Sequence, residues 1–408
     1  MQEIKHLVSD PIRLTLALVI VTALLFIIWI GYLVIYDKPV DFYVYYLATK
    51  GFIRGEDVYG SAASDMWDRL ARESNITNYA PPYRYPPLTA MMVLPLTFLN
   101  PRLAAGIWLA ASAVAFMLSA YFLGATSRSA WGMPVSWGLA LFFTPVLTTL
   151  HAGQVNGFVL LALSFSLYAW SRNRPVALGI GVALGAMLKL VPVAHLGYLG
   201  WRRQWLAFGI GVLSIVLLFA ASIPLVGWTG LASYAKNFFT LGATGGLISP
   251  GANQAINGFV SRFLTASSDR WYWVDAPDLA QWLILISSSV LVLITIGLCL
   301  PIKSSSQTIV WEFALITIVV NLITPSAWYH QFVLLLIPFF VIIDFALSNQ
   351  SFRWMLIPLG IGYGLTDLHG LIWHYIEPLP WITSTPFYTA LMLWVFLAYL
   401  VARDKWNR

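Results

Sequence analysis

A chain of 408 residues that is 59% apolar and only 10% charged, with a mean hydropathy of +0.76, is excluded from the soluble globular class, in which about a quarter of residues are charged. The net charge of +6 comes without any dense basic tract, so a nucleic-acid partner is excluded too. The single cysteine, Cys299, rules out an intrachain disulfide.

A membrane span needs roughly 20 apolar residues. The first candidate, 14–36, is longer than a signal-peptide core and lacks a small-residue cleavage site, so it reads as a retained span. Next comes 87–98, PLTAMMVLPLTF, too short to cross and interrupted by Pro95. It reads as a re-entrant or interfacial helix. Further spans are expected at 104–125, 134–150, 156–171, 175–188, 190–201, 206–226, 280–301, 308–323, 331–347, 354–367 and 385–402. The reading is an all-α polytopic membrane protein of about 12 transmembrane helices, a single domain over 1–408. Nineteen Trp and nineteen Tyr suit its extensive interface with headgroups.

Charge orients the spans. With Lys5 and Arg13 placed in the cytoplasm, alternate connections carry Arg128, Arg172 with Arg174, Arg202 with Arg203, Lys303, Arg353, and a tail with Arg403, Lys405 and Arg408. The short opposite connections 151–155, 324–330 and 368–384 carry no Lys or Arg, as the positive-inside rule requires. Only the turn at Lys189 departs from it. Both termini are then cytoplasmic, and the two long loops, 37–102 and 227–279, lie outside. Loops of that length are usually functional.

The polar oddities fall on the outer side of this topology. Asp41 opens the first loop ahead of Phe42, Tyr43, Tyr45 and Tyr46. A carboxylate there can face a lipid-borne sugar and water together, or it can be only a helix N-cap. Arg84, in YRYPP, can grip an anionic headgroup or anchor the interface. His151, Gln154 and Asn156, in HAGQVNG, can bond sugar hydroxyls or cap and join helices. Lys189 interrupts an otherwise apolar run and suits a phosphate, or snorkels to the headgroups. Asn253, Gln254 and Asn257 lie in the second loop, and Trp328 and His330 in TPSAWYHQ. His330 can donate to a phosphate or belong to the aromatic belt. His195 and Glu312 read as packing residues, and Asp367, His369, His374 and Glu377 match no metal spacing.

Five stretches in order, DFYVYYLATKGFIRGEDVYG (41–60), YRYPPLTAMMVLPL (83–96), GQVNGFVLLAL (153–163), GIGVALGAMLKLVP (179–192) and TPSAWYHQFVLLLIP (324–338), resemble glycosyltransferase family 87. These are polyprenyl-phosphate-mannose-dependent α-1,2-mannosyltransferases of the GT-C superfamily. The family's aspartate after the first span falls on Asp41, its GQxN on Gln154 and Asn156, its lysine on Lys189 and its histidine on His330. Gln331 departs from the pattern, standing where a second histidine is frequent.

The resemblance implies a GT-C glycosyltransferase of the plasma (inner) membrane, acting on the outer face without metal or other cofactor. Its partners would be a polyprenyl-phosphate sugar donor, a glycolipid or glycan acceptor, and membrane lipids. One carboxylate suffices for such chemistry. Glycosidases use two because an alkoxide must be protonated as it leaves, whereas a polyprenyl phosphate leaves as a stable anion. Asp41 is therefore expected to be the general base, with Lys189, Arg84 and His330 on the donor phosphate. Tyr45, Gln154, Asn156, Asn253 and Trp328 are expected to face the sugar or acceptor. The alternatives are a related transferase using an arabinose or glucose donor and a non-enzymatic lipid or sugar carrier. Carriers often show inverted repeats, and the two halves of this chain share no hydropathy pattern.

Overall fold

The structure, a computed structural model, describes residues 10–36, 39–60, 63–243, 246–301, 305–376 and 378–407. Asp37, Lys5, Lys303, Glu377, Arg408 and the His374 side chain, which entered the readings above, lie outside the described set. Among the described residues the regular structure is helical, and the one extended pairing is an isolated bridge between Asn253 and Trp328.

In order, the helices are α1 (Pro11–Tyr36), α2 (Val40–Ile53), α3 (Ala63–Glu73), α4 (Pro87–Val93, running into a 3₁₀ turn at Leu94–Phe98), α5 (Pro101–Thr126), α6 (Gly132–Phe142), α7 (Thr144–Ala152), α8 (Asn156–Ser171) and α9 (Pro175–Leu188). There follow α10 (Val193–Trp201), α11 (Trp205–Ala243), α12 (Ile256–Leu264), α13 (Pro277–Leu298), α14 (Ser306–Ile323), a 3₁₀ turn at Tyr329–Leu335 leading into α15 (Leu336–Ser348), α16 (Leu356–Ile376), α17 (Pro380–Thr383) and α18 (Thr385–Trp406). Proline at the first turn starts α4, α5, α9 and α13, where its missing N–H costs nothing. Asn100 adds a side-chain cap to α5 by accepting from Leu103 N–H.

Among the described residues, eight helices are long and apolar enough to cross a membrane, and a ninth span is formed if the bent pair α6 and α7 counts as one. This is a multi-pass membrane protein. The expected twelve spans are not all of spanning length. The three remaining candidates are α8, α9 and α10, of 16, 14 and 9 residues. At about 1.5 Å rise per residue, none reaches across roughly 30 Å of hydrocarbon. The expected span 134–150 is broken at Phe143, with the two halves bent by 54° ahead of Pro145. The Thr144 N–H at the break is accepted by Asp367 of α16 at 2.7 Å, so that donor is not left bare in the bilayer.

The outermost spans are α1, α11 and α13, each only 17% buried, while α14 and the helix from Tyr329 to Ser348 are 72% buried and form the centre. Helix α5 packs on α8, α8 on α9 and α9 on α11. The last contact is close because Gly179 meets Gly211. A Cβ on Gly179 would lie 2.3 Å from the Ala207 carbonyl oxygen, the small-residue packing that membrane helices use.

Both long loops are largely helical. The first holds α2, α3 and α4, and Phe42 to Thr49 of α2 are buried on every side. The second begins as a continuation of α11, kinked at Gly227 just beyond Pro224, and includes α12.

Candidate functional site

Asp41 does not cap α2. The N-cap is Pro39, no side chain caps the helix, and Asp41 sits in its first turn, where the helix dipole favours a negative charge. The end of α7 packs against this turn. Gly153 closes α7 in the left-handed conformation at φ +69°, its N–H bonds Leu150 O at 3.0 Å, and Gln154 N–H bonds Thr149 O at 2.9 Å. A Cβ on Gly153 would stand 2.7 Å from the Phe42 Cβ and 2.9 Å from the Pro39 Cβ, so only glycine lets the turn lie this close. The Trp108 indole of α5 donates to Gly153 O at 2.8 Å and holds the turn there.

The next residue, Gln154, thereby meets Asp41. Its side chain is buried and lies beside the Asp41 carboxyl. Its Oε1 accepts from the Tyr45 hydroxyl at 3.1 Å and from the Tyr85 hydroxyl at 2.9 Å. The two phenol rings meet edge to face with centroids 4.7 Å apart. Burial raises the Asp41 pKa above the usual carboxylate range, while the Gln154 amide and the Lys189 charge pull it back.

Lys189 follows the end of α9 in extended conformation, φ −154°, before Pro192 starts α10. Its Nζ donates to Asn156 Oδ1 at 3.1 Å. Burial brings its pKa down to about 8, against the pull of Asp41. Asn156 is the first residue of α8, whose N-cap is Val155, so its amide serves this contact and not a cap. His330 completes the group. Its backbone carbonyl accepts from Thr149 of α7 at 2.9 Å, and its ring lies within the field of Lys189. Among the described residues, His330 Nε2 and Asn156 Nδ2 are buried without a hydrogen-bond partner. Unspent polar atoms in a buried position are where a ligand is expected.

The fold therefore joins Asp41, Tyr45, Gln154, Asn156, Lys189 and His330 from α2, the α7–α8 turn, the α9–α10 break and the 3₁₀ turn after α14. It does not join all the expected residues. Arg84 is exposed, and only its charge reaches the group, at Tyr85. Asn253 is fully buried with its amide spent on backbone: Oδ1 accepts from Ala255 and Ala327 N–H, and Nδ2 donates to Ile248 O and Pro325 O. It pins the second loop to the segment that carries Trp328 and His330, and offers nothing to a sugar. Trp328 itself is 37% exposed. Gln254 and Asn257 are likewise bonded to backbone. Gln331 turns away from the site to donate to Asn321 Oδ1 at 2.8 Å.

Tyr85 is the member that reading the residues missed. The only signal for it was an aromatic ring beside Arg84. Glu312, read as packing, is the centre of a buried ion cluster with Arg202 and with Lys405, the latter at 2.8 Å, and it accepts from Tyr198 at 2.5 Å. His195 is a packing residue as expected, its Nε2 3.1 Å from Thr317 Oγ1. Among the described residues, no three His, Cys, Asp or Glu side chains come together as a metal site.

Chemically, the group offers a carboxylate beside an amide, an ammonium nearby, and two idle polar atoms beyond it. That combination can take a proton from one partner and hold an anion on the other. Comparison with known proteins bears on this chemistry. The model of glycosyltransferase family 87 matches residues 83–325, which take in Gln154, Asn156 and Lys189 and stop short of Asp41 and His330. A polyprenol-phosphate-mannose-dependent alpha-(1-2)-phosphatidylinositol pentamannoside mannosyltransferase from Mycobacterium tuberculosis is 26% identical over 377 residues, covering 89% of this chain and 79% of that protein. The protein of the same name from Mycolicibacterium smegmatis is 28% identical over 342 residues, covering 79% and 74%. An alpha-(1->3)-arabinofuranosyltransferase from Corynebacterium glutamicum is 25% identical over 195 residues, covering 46% and 42%.

Proposed function

The chain belongs to glycosyltransferase family 87, a family of membrane glycosyltransferases, and on that footing we propose that it transfers a mannosyl residue from polyprenyl-phosphate-mannose to a glycolipid or glycan acceptor with inversion at the anomeric carbon. The observation that carries the reading is the meeting of Asp41 with Gln154 and Lys189, beside the unpartnered His330 Nε2 and Asn156 Nδ2. The two mycobacterial relatives, named for a polyprenol-phosphate-mannose donor and a phosphatidylinositol glycolipid, support both substrate classes.

In this mechanism Asp41 takes the proton of the acceptor hydroxyl. The acceptor oxygen attacks C1 of the sugar from the face opposite the phosphate, and the C1–O bond breaks with its electron pair leaving on the phosphate oxygen. Lys189 and His330 hold the developing phosphate charge, with Asn156 donating its free amide and Arg84 meeting the lipid phosphate from the exposed side. A positioned base contributes about 10²–10⁴-fold, and fixed donors on the departing charge contribute about 10²–10³-fold. The positive-inside pattern supports an enzyme of the inner membrane with both termini cytoplasmic and the site on the outer face.

The test is transfer of labelled mannose from the purified donor to a lipid extract. Asp41→Asn is expected to lower turnover at least about a hundredfold at normal expression; near-wild-type transfer by that variant overturns the base assignment. The arabinofuranosyltransferase relative favours one second reading, a different polyprenyl-phosphate sugar. The same assay with labelled polyprenyl-phosphate-arabinose decides between the two.

A further inference from the structure

Asn253 was expected to face the sugar, yet its amide is fully buried and every bond it can make ends on backbone. Oδ1 accepts from Ala327 N–H at 3.0 Å and from Ala255 N–H at 3.2 Å, while Nδ2 donates to Ile248 O at 2.9 Å and to Pro325 O at 3.3 Å. Two lone pairs and two N–H bonds are all that an asparagine side chain has. Its orientation is also unambiguous, because the reversed amide would set donors against N–H groups and an acceptor against carbonyls. Three residues beyond Ala327 stands His330.

We propose that Asn253 is a positioning residue for His330: the folded second loop clamps the backbone ahead of the histidine, so that the imidazole is already in place when the donor phosphate arrives. The inference rests on the reading of His330 as a group that holds that phosphate. Every residue from 327 to 331 is tied down. Gln254 N–H bonds Ala327 O at 2.8 Å, the other side of the clamp, and Asn253 pairs with Trp328 as the isolated bridge. The Tyr329 hydroxyl donates to Thr366 O of α16 at 2.7 Å, a seat that needs Gly370, where a Cβ would stand 2.4 Å from the phenol oxygen. His330 O accepts from Thr149 of α7 at 2.9 Å. Gln331 N–H bonds Trp328 O at 2.7 Å, and its Nε2 donates to Asn321 Oδ1 of α14 at 2.8 Å. Among the polar side chains of this stretch, only the imidazole keeps a buried atom, Nε2, without a hydrogen-bond partner. A fixed backbone beneath an unengaged ring is how a preorganised donor is built.

The clamp is itself braced from behind. Arg262 of α12 is fully buried, and its Nη atoms donate to Asn253 O, to Pro250 O at 3.3 Å and to Ser384 Oγ at 2.8 Å. A buried guanidinium is costly unless it is hydrogen-bonded, and these bonds hold the 250–253 turn against the start of α18. Gly258, one helical turn before Arg262, lets α12 lie this close, since a Cβ there would stand 2.1 Å from Asn253 O. The second long loop thus reaches the phosphate end of the site through backbone alone, by way of Ala327. Its asparagine acts on the reaction without touching substrate.

The experiment is a double-mutant cycle on mannosyl transfer by the purified full chain, with donor kcat/KM and acceptor KM measured for each variant. Asn253→Ala is expected to lower donor kcat/KM at least about tenfold and to leave the acceptor KM within about twofold, since a displaced histidine weakens only the phosphate end. His330→Ala should cost at least as much. Added to His330→Ala, Asn253→Ala should lower donor kcat/KM by no more than about twofold further, because no ring is left to misplace. A role in folding alone predicts the opposite, two losses that multiply. Thr149→Val keeps the side-chain shape and releases His330 O. It should lower donor kcat/KM about threefold, again only while His330 is present. If Asn253→Ala fails to fold, this milder variant carries the test. Losses that multiply, or an unchanged donor kcat/KM in both variants, overturn the positioning role. A damaged His330→Ala beside such a result leaves His330 on the phosphate, whereas wild-type transfer by His330→Ala overturns that reading and the proposal together.

Discussion

Lys189 is the residue through which the two halves of the chemistry meet. It favours the charged form of Asp41, and its ammonium is held to Asn156 at 3.1 Å next to the idle His330 Nε2. If its charge holds the donor phosphate, Lys189→Met should raise the donor KM by at least about tenfold and leave the acceptor KM nearly unchanged, because one charge-assisted contact is worth about 1.5–3 kcal/mol. Steady-state kinetics with each substrate varied in turn reads this directly, and an unchanged donor KM would remove Lys189 from the phosphate. Lys189 was legible in the amino-acid sequence because a lone cation in an apolar run has few explanations. Asp41 was legible as a carboxylate at the end of a span. The spent amide of Asn253 and the pairing of Tyr85 with Gln154 were not, because both depend on partners tens of residues away that no spacing rule connects.

At the scale of elements, the site depends on places where helices stop. The α7–α8 turn ends regular structure beside the start of α2, and the α9–α10 break and the 3₁₀ turn at Tyr329–Leu335 are joined to it through Lys189 with Asn156 and Thr149 with His330. Their positions were readable from Gly153, Pro192 and the polar run before His330, and most helix boundaries follow from proline starts and apolar runs. What could not be read was the bend of the α6–α7 span or the shortness of α8, α9 and α10 as spans, since apolar composition is the same whether a helix crosses lipid or is buried among its neighbours. Gly153 tests the packing of these ends. Gly153→Ala places an L-residue at φ +69°, which costs about 1–2 kcal/mol, and its methyl would lie 2.7 Å from the Phe42 Cβ. The turn must then lift from α2 and carry Gln154 away from Asp41. A lower melting temperature together with at least about a tenfold fall in transfer rate is expected. Unchanged values of both would mean that the close seat of the turn on α2 does not matter.

For the whole molecule, polar groups gather at two separated levels. The Asp41 group lies at one end of α10, where Lys189 precedes the helix, and the Glu312 cluster lies at the other, where Arg202 follows it. Lys405 of α18 joins that second level and also donates to the Leu300 carbonyl at 2.8 Å, tying α18 to the end of α13. The tail of α18, with Arg403 beside Lys405, lies at this second level, while helix α3 packs on α2 and lies at the first. The proposed outward face of Asp41 rests on the Lys and Arg of the short connections, and it can be tested directly. Cys299, the single cysteine, is buried, so a Cys299→Ser background permits site-directed labelling. Asp65→Cys on α3 and Arg403→Cys on α18 replace exposed side chains at the two levels. A membrane-impermeant maleimide applied to intact cells is expected to label position 65, and to label position 403 only after the membrane is opened. The reverse pattern would place Asp41 in the cytoplasm, and the acceptor would then have to be sought among molecules on that side.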